Sequence, residues 1–117
     1  MKDTEKRAEV ELKEVLQARR EAAQELVNAR IEEFLAGRSP LDLVVEAQRL
    51  LLRAELEISE KKEDRMKALE RHLEFEVLLH KFNKIRYEAR KIGPADYARS
   101  NYTLQEAEIE LLREKAR

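Results

Sequence analysis

The chain has 117 residues, of which 42% are charged and 5% aromatic, with two glycines, two prolines and neither cysteine nor tryptophan. That mixture belongs to long helices or coiled coil, and the lack of cysteine excludes a disulfide framework, thiolate metal sites and thiol nucleophiles. A net charge of −1 with the two signs interleaved gives no general attraction for nucleic acid or for an anionic membrane.

No apolar run follows Lys2, and none approaches the ~18 residues that a membrane span needs, so the sequence predicts a soluble chain with no export signal. The first helix is expected over about residues 4–36. Its apolar positions Ala8, Leu12, Val15, Ala22, Leu26, Val27, Ile31 and Phe34 recur in steps that share one helical face. Thr4 is the expected N-cap, and Gly37 the left-handed residue that stops the helix. Ser39 is read as the cap of a second helix, with Pro40 at its first position and Asp42 three residues after the cap. So short a link requires helices 1 and 2 to fold back antiparallel.

The second helix is expected to run unbroken over about 40–91, because neither glycine nor proline interrupts it. Its first half carries Val44, Ala47, Leu51, Ala54 and Ile58, and its second half Leu78, Phe82, Ile85, Ala89 and Ile92. Between them, Ser59 to Arg65 contains no apolar residue and reads as a solvent-bridging stretch. Gly93 and Pro94 open a third helix over about 95–117, striped by Ala98, Tyr102, Ile109, Leu112 and Ala116. The chain thus reads as one all-α domain of three long antiparallel helices. These form two coiled-coil-like hairpins (4–74 and 68–117) that share the middle helix. Both turns repeat a phrase: a break, a proline, an acidic residue two places on, and Ala-Glu-apolar-Glu three turns later (Ala54 to Glu57, Ala107 to Glu110).

The positions expected to pack or to form an interface are Leu51, Ala54 and Ile58 on one seam and Phe82, Ile85 and Ala89 on the other. Leu43, Leu50, Leu52, Leu56 and Val77 lie off any single seam, which predicts a dimer or trimer of the chain, or a helical partner protein. His72, Glu76 and His80 share a helical face and are the metal candidates of the chain. They lack the Glu-x-x-His and His-Glu-x-x-His spacings, border a packed face, and lead to no expected metal or cofactor. Lys81, Lys84, Arg86, Arg90, Lys91 and Arg99 cluster at the second turn beside Phe82, Tyr87, Tyr97 and Tyr102. Such a cluster complements a helix C-terminus; its alternative use is to hold nucleic acid or an acidic partner. No phosphate loop, nucleophile elbow or triad is present, and no enzyme is expected.

Residues 34–69 carry a further pattern: Phe34-x-x-Gly37-Arg38-Ser39-x-Leu41, Val44-Val45-Glu46-Ala47-Gln48-Arg49, Leu51, Ala54-Glu55-Leu56, and Asp64-Arg65-Met66-x-Ala68-Leu69. This resembles the periplasmic helical hairpin of TolC-like outer-membrane efflux proteins, in which an aromatic residue and a glycine end one helix and an acidic-Ala-Gln phrase opens the next. The barrel strands of that family have no counterpart here. The resemblance implies a TolC-like helical segment that self-associates, placed in the periplasm or cell envelope if an export signal has been removed.

Overall fold

A computed structural model describes residues 2–117, and all regular structure among them is helical: α1 Lys2–Leu35, α2 Leu41–Ile58, α3 Lys62–Glu88 and α4 Pro94–Lys115. The chain divides into two units at Glu60/Lys61. Each is an antiparallel hairpin, α1 with α2 and α3 with α4. The expected middle helix is therefore two helices, and the hairpins share no residue.

The break has a local cause. The Ser59 hydroxyl donates to the carbonyl of Glu55, the acceptor that the Ser59 N–H would use in a continuous helix. That N–H turns instead to Leu56 O at 3.4 Å, and Ser59 leaves helical geometry at ψ 104°. Lys61 is also extended at ψ 141° before α3 begins. A polar stretch with no apolar residue to bury has no packing to oppose such competition.

Both hairpin turns use the same stop. At the end of α1 the Arg38 N–H bonds Glu33 O at 2.8 Å and the Gly37 N–H bonds Phe34 O at 3.0 Å, with Gly37 at φ +71°. At the end of α3 the Lys91 N–H bonds Arg86 O at 2.8 Å and the Arg90 N–H bonds Tyr87 O at 3.0 Å, with Arg90 at φ +60°. These are two Schellman caps, one closed by glycine and one by arginine. The third helix was expected to follow a break at Gly93. The chain in fact reverses at Arg90, so α3 stops at Glu88 rather than at residue 91, and Gly93 serves as the extended N-cap of α4 at φ −90°.

Two expected caps are also displaced. Thr4 lies inside α1, which begins at Lys2 with Asp3 and Glu5 supplying negative charge to its first turn. Pro40, at ψ 158°, is itself the cap residue of α2, and the Ser39 hydroxyl is buried with no hydrogen-bond partner. The Leu43 N–H bonds Pro40 O at 3.3 Å, so the backbone supplies a partner there in place of a side-chain cap.

The first seam is aliphatic. Ala23 and Val27 of α1 pack with Ala47, Leu51 and Ala54 of α2, with Leu26 and Ile31 against them. Arg19 and Glu57 pair across its far end. Because α1 has 34 residues and α2 only 18, the turns of α1 before Arg19 have no α2 residue opposite, and Leu12 and Val15 stay exposed.

Candidate interaction surface

The second hairpin is organised around a polar seam. Its buried side chains are Ala68, Leu69 and Glu76 from α3 with Ser100, Ala107, Leu111 and Glu114 from α4. Glu76 is only 2% exposed, and the His72 ring, on the preceding turn of α3, brings Nε2 to 3.6 Å from Glu76 Oε1. One turn further along, His80 Nδ1 lies 2.9 Å from Ser100 Oγ, which also accepts from Asn83 Nδ2 at 3.2 Å. Thr103 Oγ1 donates to Ser100 O at 3.1 Å.

At the opposite end of the seam Arg65 Nε donates to Glu114 Oε1 at 2.6 Å, while Arg117 Nη1 lies 3.0 Å from Glu114 Oε2. Lys62 Nζ donates to the backbone oxygens of Lys115 and Arg117, where a cation complements the C-terminal pole of α4. Burial raises the Glu110 carboxyl above the ordinary carboxylate range. Repulsion from Glu106 and from Glu76 across the seam adds to the rise, and Arg113 opposes it.

A helix that turns its polar groups inward leaves its apolar groups outside. At about 100° per residue, Leu78, Phe82 and Ile85 lie roughly 180–240° around α3 from Glu76. On α4, Tyr102, Ile109 and Leu112 lie roughly 120–200° from Ser100. These six side chains are 43–67% exposed. An open groove beside them on α3 is lined by Leu73, Val77 and Leu78 between Glu70 and Glu74. Both outer faces of the hairpin are therefore apolar, each framed by charge.

The residues singled out in the sequence separate accordingly. Leu51 and Ala54 are buried in the first seam, with Ile58 half-buried at the end of α2. Phe82 and Ile85 stand on the outer face of α3, and Ala89 is the exposed C-cap residue. Of the metal candidates, His72 and Glu76 come together while His80 turns to Ser100. Among the described residues no three His, Asp or Glu side chains converge as metal ligands would.

In the basic cluster Lys81, Lys84, Arg90, Lys91 and Arg99 are exposed, and the Arg86 guanidinium lies 5.6 Å from the centre of the Phe82 ring. The neighbouring aromatic groups stack on one another: Tyr97 on Tyr87 at 4.6 Å and on His80 at 5.3 Å. They pack the turn rather than offer a row of free rings for bases.

Arg65, Ser100, Glu110 and Glu114 escaped the sequence reading as members of a site. A signal was present, because His72 and Glu76 are spaced to share the face that forms the seam. None of the described helices is long and apolar enough to cross a membrane. Compared with known proteins, the chain matches no family model, no curated protein and no solved structure.

Proposed function

We propose that this chain is a non-catalytic helical module that associates with copies of itself through the outer faces of its second hairpin. The observation that carries this reading is the inverted arrangement of α3 and α4, with Glu76 and Glu114 inside and Leu78, Phe82, Ile85, Tyr102, Ile109 and Leu112 outside. Large apolar groups gathered on one face mark an interaction site more often than scattered ones do. Fully burying one such side chain contributes about 1.5–3 kcal/mol, so a face of three gives a helix a substantial reason to find a partner. The exposed turns of α1 before Arg19 supply a second apolar surface of the same kind. The sharpest form of the proposal is a TolC-like helical segment, supported by the Phe34/Gly37 and Glu46-Ala47-Gln48 phrases, working in the cell envelope.

Solution mass by light scattering, measured with small-angle X-ray scattering, tests the reading. A dimer or trimer is expected, and a trimer favours the TolC-like form. The double variant Leu78→Glu/Ile85→Glu should shift the mass to that of the monomer while leaving helical content unchanged. A wild-type monomer at every accessible concentration would sink the proposal.

A further inference from the structure

We infer that the α3–α4 hairpin is a pH-responsive unit that tightens on mild acidification through His72, Glu76 and Glu110, while the α1–α2 hairpin of the same chain does not respond. The contrast begins with what each seam buries. The first seam buries Ala23, Val27, Val44, Ala47, Leu51 and Ala54, none of which titrates. Its cross-helix ion pair, Arg19 with Glu57, is well exposed and screened by water. The second seam buries the Glu76 carboxylate beside an imidazole that is itself only 11% exposed.

The groups facing this cluster come from both helices. On α3 they include His80, held by the neutral Ser100 hydroxyl, and, at the opposite end of the seam, Arg65, engaged with Glu114. On α4 they are Glu106, Glu110, Arg113 and Glu114. Glu110 binds its proton more tightly in the folded hairpin than in the unfolded chain. Stability from that group is fully present below the ordinary carboxyl range and is lost as pH rises through the raised value.

His72 acts in the same direction. A protonated His72 ring, 3.6 Å from Glu76 Oε1, meets that carboxylate as a cation, and a neutral ring does not. Both changes weaken the second hairpin as pH rises, Glu110 from the carboxyl range upward and His72 where its ring loses its proton. Acidification commonly loosens a protein by removing carboxylate pairs; here the buried cluster reverses the sign over this window.

Hydrogen exchange of the full chain, corrected for the intrinsic pH dependence of exchange, reads the two hairpins separately in one sample. Between about pH 5.5 and 8 the opening constant of α3–α4 segments should rise about tenfold, while α1–α2 segments change less than about twofold. The variant His72→Gln/Glu110→Gln should flatten the α3–α4 response. Equal responses in both hairpins would overturn the inference, as would a full response retained in the variant. If the variant does not fold, the wild-type comparison still decides. A response that appears only at high protein concentration would locate the effect in an interface instead of the seam, and would equally overturn it.

Discussion

The two hairpins begin from the same instructions and reach different interiors. Each closes with a Schellman turn, and each second helix starts at a proline boundary and carries Ala-Glu-apolar-Glu about three turns on. The first closes that turn with Gly37 and packs an aliphatic seam. The second closes it with Arg90 and encloses Glu76, Ser100 and Glu114. An aliphatic seam contributes stability through area removed from water and is indifferent to pH. A seam of buried charge contributes little net stability, because desolvation offsets most of the attraction, but it demands particular partners. The first hairpin is therefore read as the sturdier element, and the second as the one whose state depends on its surroundings.

Breaking the first seam should have the largest effect. Leu51→Asp places an unpaired charge among Ala23, Val27 and Ala47 and should unfold the α1–α2 hairpin, seen as loss of exchange protection there. Protection in α3–α4 should survive, because that hairpin buries a seam of its own. Converting the second seam toward the first comes next. His72→Leu with Glu76→Leu replaces a buried pair by apolar groups and should be neutral or stabilising by up to about 1–4 kcal/mol in denaturant titration. Removing Glu76 and His72 together also removes their part of the pH response.

The smallest effects concern the turns, and they should be opposite in sign. Gly37→Ala meets no atom within 4 Å of the added Cβ, so only the left-handed backbone opposes it, by about 1 kcal/mol. Arg90→Gly relieves the same strain and should stabilise the second hairpin by a similar amount, about 1 kcal/mol. Thermal melts of the two variants check the pair; shifts of the same sign would mean that the turns are not equivalent.

The helical character of the chain and the place of its first reversal were legible in its residues. The Gly37 stop was read correctly as left-handed, and Leu51 and Ala54 were placed on a packed seam. The break at Ser59 was missed because neither glycine nor proline marks it. A serine hydroxyl competing for its own helix carbonyl is a signal only where packing is absent. The reversal at Arg90 was missed because the left-handed site is filled by a residue that disfavours it, with Gly93 standing three residues too late to serve.

The interior of the second hairpin was misread for a different reason. Leu78, Phe82 and Ile85 form a good apolar stripe, and periodicity alone assigns the better stripe to the core. On α3 that rule fails, since His72 and Glu76 form a competing stripe on the opposite side.

What the sequence determined by itself is what acts over one turn of chain: helix in place of strand, the proline-led starts, and the glycine stop of α1. These depend on backbone propensity and on capping between near neighbours, which no distant contact needs to supply. Which face of α3 and α4 turns inward was decided only by tertiary structure. Glu114 must find Arg65 across 49 residues of chain, and Ser100 must find His80 and Asn83. A buried polar group is tolerable only with such partners, and they exist only once the two helices have met.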